Sequence, residues 1–129
     1  MNLKGKTLIL TGVARIGQDV AIALSEKGTS LIITYFSKQP SLKLPGKIVY
    51  VQADLSKQTD VKRVVETALS ESGTIDGLIH MASTYNRNPW HQLSEAAWDK
   101  DLSNIAKSAF LLGKAVGDVM LANKTEGRM

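Results

Sequence analysis

The apolar positions along the chain follow two rhythms. Short runs rich in Ile, Val and Leu, namely LILT (8–11), SLIITY (30–35), KIVYVQ (47–52) and GLIHMA (77–82), are bounded by Gly, Pro or Asp. Such unbroken runs predict strands buried on both faces. Between them IGQDVAIALSEKG (16–28), SKQTDVKRVVETALSESG (56–73) and the long segment 94–124 carry apolar residues at helical spacing. The second helix places Val61, Val64, Val65, Ala68 and Leu69 on one face, with Ser56 or Thr59 as N-cap and Gly73 as its stop. The third starts at Ser94 and aligns Trp98, Leu102, Ile105, Ala109, Leu112 and Val116 in one stripe. FSKQPSLKLPG (36–46), with two prolines and a glycine, predicts a loop rather than a helix. Strands alternating with helices in this way predict an α/β fold, a parallel sheet joined by right-handed crossovers.

Composition narrows the class without changing that picture. At 129 residues, 43% hydrophobic and 22% charged, the chain is a single globular domain. It contains no cysteine, which removes disulfides, thiolate metal sites and cysteine nucleophiles, and fits a reducing, cytoplasmic setting. The apolar stretch after Lys6 is too short for a signal-peptide core or a membrane span. Residues 1–63 hold ten Lys/Arg against four acids, and the remainder six against eight. These cations are scattered over turns and helix faces with few aromatics among them, which argues for a small anionic ligand over nucleic acid. With two histidines and no cysteine, no metal site is expected. His80, inside a predicted buried strand, reads as a hydrogen-bonded core or pocket-wall residue.

The chemistry centres on TLILTGVARIGQD (7–19), a strand, a glycine-bracketed loop and a helix start. Three phosphate cradles compete for it. Gly12 and Gly17 have the separation of a nucleotide-triphosphate P-loop, but Gln18 and Asp19 replace the lysine and the hydroxyl that it needs. The dinucleotide fingerprint G-x-G-x-x-G requires three glycines where only two stand. The third cradle is the turn T-G-x3-G-x-G, and Thr11-Gly12-Val13-Ala14-Arg15-Ile16-Gly17 resembles it with one residue missing and the middle glycine lost.

That turn is similar to the one in the short-chain dehydrogenase/reductase family, and the likeness continues in order along the chain. Ala53-Asp54-Leu55-Ser56 resembles the acidic-plus-apolar pair after the third strand, which implies that the Asp54 carboxylate accepts from the adenine amino group; a helix N-cap is its structural alternative. Ile79-His80-Met81-Ala82-Ser83 stands where the family has N-N-A-G, with Ala82 and the small Ser83 kept and both asparagines replaced; Ser83 resembles the pteridine-reductase-like branch. Trp98-Asp99 and Lys107-Ser108-Ala109-Phe110 match the following helix, and Gly127-Arg128-Met129 resembles the opening of the fifth strand. The resemblance implies a three-layer Rossmann-like fold with strand order 3-2-1-4.

It further implies an oxidoreductase that binds a nicotinamide dinucleotide through Thr11, Gly12, Arg15, Ile16, Gly17, Ser37, Lys38, Asp54, Leu55, Ala82 and Ser83. The family's catalytic Tyr-x3-Lys and serine have no counterpart, since Gln39, Asp54 and Pro89 stand four residues after the three tyrosines. The expectation is therefore a cofactor-binding amino-terminal half, cut before the fifth strand, of a parent reductase for a small carbonyl, imine or pteridine-type substrate. The alternative is a non-catalytic nucleotide-binding or regulatory module. The family's helix asparagine maps onto Ile105, one position from Asn104, so Asn104 takes that role only in a shifted register. No acid ends the second strand, where Tyr35-Phe36-Ser37-Lys38 stands, so NADP(H) is favoured and NAD(H) remains possible. Arg15 and Lys38 have the alternative of being solvated surface cations. Residues 85–89, flanked by Trp90 and Trp98, border the nicotinamide side or pack onto the long helix. The fourth strand leaves an apolar edge, which predicts a homo-oligomer or a complementing fragment.

Overall fold

The computed structural model describes residues 2–84 and 87–129. Four strands, β1 (Thr7–Thr11), β2 (Ser30–Tyr35), β3 (Ile48–Gln52) and β4 (Gly77–His80), form one parallel sheet in the order β3-β2-β1-β4. The register pairs Leu8 with Leu31 and Gly77, and Ile33 with Tyr50. This is the Rossmann-like α/β arrangement, with both sheet faces covered.

Strand pleating divides the apolar runs between two cores. Ile9, Ile32, Val51 and Leu78 face helix α2 (Gln58–Ser72) and the carboxyl-terminal helix, meeting Val61, Val64, Val65, Ala68, Leu112 and Val116. Leu8, Leu10, Leu31 and Ile33 face the other way, onto Ala21 of helix α1 (Ile16–Glu26). The segment between β2 and β3 holds no helix, as its prolines imply; it lays Leu42 and Leu44 against this second core instead. At the sheet's amino end the buried Asp76 carboxylate accepts the Thr7 N–H at 2.9 Å and the Lys6 ammonium at 2.8 Å, tying the entry of β4 to that of β1.

Helix α2 stops at Gly73, a left-handed residue with φ +73°, as its sequence predicts. Its N-cap differs from expectation: neither Ser56 nor Thr59 caps it, and Lys57 occupies that position without a side-chain bond. In the preceding turn the Ser56 hydroxyl is directed at the Asp54 carboxylate, donating to its Oδ1 at 2.6 Å.

The long carboxyl-terminal segment departs further. Ser94 caps it, accepting from the Ala97 N–H at 3.1 Å. Beyond that cap the helix divides into three pieces: α3 (Glu95–Leu102), a π-helical turn (Ser103–Lys107) and α4 (Ser108–Ala122). The expected single stripe therefore breaks. Leu112 and Val116 are fully buried, whereas Trp98 is 65% exposed and Leu102, Ile105 and Ala109 also face outward. The π-turn holds one residue more than the α-helical count and rotates Trp98 and Leu102 before it away from the stripe, while Ala109, beyond it, lies on the outer side of α4 next to the buried Ser108.

The outer edge of β4 is not wholly bare. Leu78 N–H donates to the Arg128 carbonyl at 3.0 Å, Arg128 N–H donates to the Asp76 carbonyl at 3.2 Å, and Gly77 and Arg128 form a parallel bridge. Arg128 thus pairs beside β4, where the sequence resemblance places the start of a further strand. Among the described residues no helix is long and apolar enough to cross a membrane.

Candidate functional site

All four strands deliver their carboxyl ends to one side of the sheet, and the residues singled out from the sequence collect there. The order reverses direction at β1, with β2 and β4 on its two flanks, so the loop after β1 lies at the switch point where open α/β sheets bind ligands.

Gly12 leaves β1 with φ +72°, and a Cβ on it would sit 2.5 Å from Ala82 N and closer still to the Met81 carbonyl. Gly17 is buried at the start of α1, and a Cβ there would overlap the Gly12 carbonyl oxygen. These two glycines let the loop, the helix end and the segment after β4 share space that side chains would fill. Between them lies a feature the sequence did not predict. Gly17 N–H donates to the Ala14 carbonyl at 3.0 Å, closing a four-residue turn whose second residue, Arg15, has φ 51° and ψ −120°. That is the first central position of a type II′ turn, which glycine dominates. The lost middle glycine therefore leaves an arginine in a conformation suited to glycine. The Arg15 side chain is exposed, as is Ile16 at 73%.

Thr11, the last residue of β1, is fully buried and holds the crossing together. Its Oγ1 accepts the N–H groups of Met81 and Ala82, each at 3.1 Å, and lies 3.0 Å from His80 Nδ1. His80 Nε2 lies 3.1 Å from Ser108 Oγ. The Ser108 hydroxyl donates to the carbonyls of Asn104, at 2.7 Å, and Ile105, at 3.2 Å. With that hydrogen committed, Ser108 can only accept from His80, which puts the imidazole proton on Nε2. Nδ1 then accepts from the Thr11 hydroxyl. Burial favours the neutral ring and pushes the His80 pKa down from its ordinary value. His80 is thus half-buried and hydrogen-bonded through both ring nitrogens, as expected of a histidine in this strand. Its partner Ser108 gave no signal in the sequence beyond its place in the run 107–110.

At the ends of β2 and β3 an open cavity of about 220 Å³ is lined by Phe36, Gln52, Ala53, Asp54, Asp60 and Arg63. Ser37 and Lys38 follow Phe36 and are exposed. Leu55 is buried beneath the adjoining turn. Asp54 does not cap α2; its Oδ1 accepts the Ser56 hydroxyl at 2.6 Å and the Ser56 N–H at 3.1 Å, and Oδ2 lies 3.5 Å from Lys57 Nζ. The Ser56 hydroxyl, ahead of the backbone and Lys57 contributions, holds its pKa below the usual carboxylate value. Sequence reasoning missed three lining residues. Asp60 accepts the Asp54 N–H at 2.8 Å, and that bond, with Arg63, lowers its pKa. Arg63 donates to the Gln52 carbonyl at 2.7 Å, and Gln52 donates to the Phe36 carbonyl at 3.0 Å. Each is an ordinary polar residue in its own segment, and only the packing of α2 beside β3 makes it part of a cavity wall.

Ala82 and Ser83 follow β4 opposite the glycine turn, Ser83 exposed. Asn104 lies within the π-turn, its carbonyl engaged by Ser108. Of the loop 85–89, Tyr85 and Asn86 lie outside the described residues. Trp90 and Trp98 are both largely exposed. The arrangement offers a tight backbone turn for a phosphate, an exposed cation beside it and a polar cleft with an aromatic wall, the parts an extended nucleotide requires.

These features give the chain the frame of the dinucleotide-binding folds, and comparison with known proteins names the family. The family model described as enoyl-(acyl carrier protein) reductase matches residues 12–129. The chain belongs to the short-chain dehydrogenase/reductase family. It is similar to an uncharacterized oxidoreductase of Listeria innocua, 29% identical over 108 residues that cover 78% of this chain and 44% of that protein. A short-chain dehydrogenase of Bacillus anthracis superposes with a TM-score of 0.89 at 25% identity, over 97% of this chain and 55% of the other. An NADH-dependent reductase solved with NAD shares the fold, with a TM-score of 0.82 at 22% identity, over 94% of this chain and 54% of the other. The chain spans about half the length of the relatives it matches.

Proposed function

We propose that this chain is the NADP(H)-binding half of a reductase that delivers hydride to a small carbonyl, imine or pteridine-type substrate. The observation that carries the cofactor reading is the end of β2. Tyr35 is followed by Phe36, Ser37 and Lys38, so no carboxylate stands there to bind a ribose 2′-hydroxyl and repel a 2′-phosphate. β1 and β2 are adjacent and parallel, so the loop bearing the exposed Arg15 and the loop bearing Ser37 and Lys38 leave the sheet side by side. Two cations and a hydroxyl there suit a dianionic phosphate.

In this reading Gly12 and Gly17 admit the pyrophosphate to the backbone, with Thr11 and Ile16 setting the loop. Asp54 and Leu55, with the cleft beside Phe36, receive the adenine, and Ala82 and Ser83 wall the opposite side. The residues present fit the group, since the glycine cradle would be filled by any Cβ. When bound, a nicotinamide supplies the hydride. The extra residue of the π-turn is what supports giving Asn104, in a shifted register, the role of the family's helix asparagine. The tyrosine, lysine and serine that complete the chemistry would come from a further segment of the parent protein. That segment would also cover the rest of the β4 edge, or a second copy would.

Titration of the chain with NADPH and NADH, monitored by fluorescence and calorimetry, tests the reading. NADPH should bind about tenfold more tightly, a difference of about 1.4 kcal/mol, and the Arg15→Ala and Lys38→Ala pair should erase that preference. Equal affinities in the unaltered chain would overturn the NADP(H) assignment in favour of NAD(H). No binding at millimolar dinucleotide would overturn the cofactor assignment altogether. A second reading, a non-catalytic nucleotide-binding module, draws on the shortened, strained Arg15 turn and on the replacement of both asparagines in the segment after β4. It predicts dinucleotide binding by the whole parent protein with no carbonyl-dependent oxidation of NADPH.

A further inference from the structure

We infer that His80 is a positioning residue for the dinucleotide turn, holding the Thr11 hydroxyl toward itself and joining the β1–β4 crossing to the π-turn ahead of α4 through Ser108. The inference rests on the dinucleotide reading for its functional consequence, but its geometry stands apart from it.

The chain of donors runs in one direction. Ser108 donates to the Asn104 and Ile105 carbonyls, His80 Nε2–H donates to Ser108, and Thr11 donates to His80 Nδ1. Thr11 Oγ1 is thereby left with its lone pairs for the Met81 and Ala82 N–H groups. Those two amides belong to the segment against which Gly12 packs too closely for any Cβ. The backbone facing the glycine turn is therefore fixed by an oxygen whose own hydrogen is fixed by His80. Rotating the Thr11 hydroxyl would point its O–H where a lone pair now stands and loosen one of the two amides. Imidazole is suited to this position because its two nitrogens, on opposite sides of the ring, reach Thr11 on β1 and Ser108 on α4 at once. An asparagine in its place could meet Thr11 but is too short to meet Ser108 as well. His80 is half-buried and Ser108 almost completely buried, so at the Ser108 end solvent does not substitute for the link.

The test uses the whole chain and the variant Ser108→Ala, which fits the same space and touches neither the turn nor the proposed ligand. Amide hydrogen exchange at Met81 and Ala82 should accelerate about five- to tenfold, the effect of weakening one hydrogen bond. Exchange at Ile9 and Ile32, in the sheet centre, should stay unchanged. In an His80→Asn background, where the link to Ser108 is already cut, Ser108→Ala should add nothing. The NADPH dissociation constant should rise about fivefold in Ser108→Ala and show the same non-additivity. Nitrogen-15 spectra should show the His80 ring neutral with its proton on Nε2. Unchanged exchange at Met81 and Ala82, an equal acceleration across the whole sheet, additive effects of the two substitutions, or a ring protonated on Nδ1 would each overturn the inference. If the unaltered chain binds no dinucleotide, that result counts against the proposed function, while exchange and tautomer still decide the role of His80.

Discussion

Replacing Arg15 by glycine should make this protein more stable, although it removes a side chain and enlarges the unfolded ensemble. Arg15 holds φ 51° and ψ −120° in the turn closed by the Gly17 to Ala14 hydrogen bond. A side chain held outside the allowed regions costs on the order of 1–3 kcal/mol. Glycine adopts the same angles freely, at an entropic cost of about 0.5–1 kcal/mol. The difference is a net gain of up to roughly 2.5 kcal/mol, since the exposed guanidinium has little packing to lose. At about 4 °C per kcal/mol for a domain of this size, Tm should rise by up to roughly 10 °C. The assay is thermal and urea unfolding of the unaltered chain, Arg15→Gly and Arg15→Ala. Alanine removes the charge but keeps the strain, so it should unfold within about 0.5 kcal/mol of the parent. A lower midpoint for Arg15→Gly, or an equal rise in both variants, would refute the strain argument. The same pair separates the two roles of this residue, because both should weaken NADPH binding while only glycine stabilises.

The geometry sets three other outcomes. Gly12→Ala places a methyl group against the Met81 carbonyl and Ala82 N at φ +72°, and should cost on the order of 3 kcal/mol or more, read as a lowered urea midpoint. Stability should fall as pH drops from 7 toward 5 because of His80: burial lowers its folded pKa, so its contribution is complete above the ordinary histidine value and is lost as pH falls through the folded one. The groups facing the ring, Thr11 and Ser108, are uncharged, and a His80→Asn variant should lose that part of the pH dependence. Among the described residues no partner meets the buried Tyr50 hydroxyl in the second core, so Tyr50→Phe should leave Tm unchanged or raise it by the equivalent of about 1 kcal/mol; a clear loss would mean that the hydroxyl is satisfied after all.

Much of the fold was legible because its signals are local. Glycine at 73 ends α2 through its own left-handed backbone, Ser94 caps α3 through an amide three residues away, and the prolines at 40 and 45 suppress a helix whatever surrounds them. The strands could be read because a two-faced parallel sheet demands unbroken Ile, Val and Leu, and their order came with the family likeness. The glycine turn was legible as a tight turn between strand and helix, though not as a strained one. That Arg15 inherits the angles of a glycine depends on where α1 must start once Gly17 is pressed against Gly12.

What the sequence determined by itself was the set of elements, the two glycines and the family, since periodicity, caps and motif spacing are properties of neighbouring residues. Only the tertiary structure decided how the distant parts meet. It turned Asp54 toward Ser56 instead of toward the end of α2, broke the carboxyl-terminal stripe at a π-turn, and brought Asp60 and Arg63 into a cleft beside Phe36. It also put His80 between Thr11 and Ser108, residues 69 positions before it and 28 after. No local pattern encodes such a bridge, because its geometry is set by the spacing between a strand and a helix packed on opposite sides of the same ring.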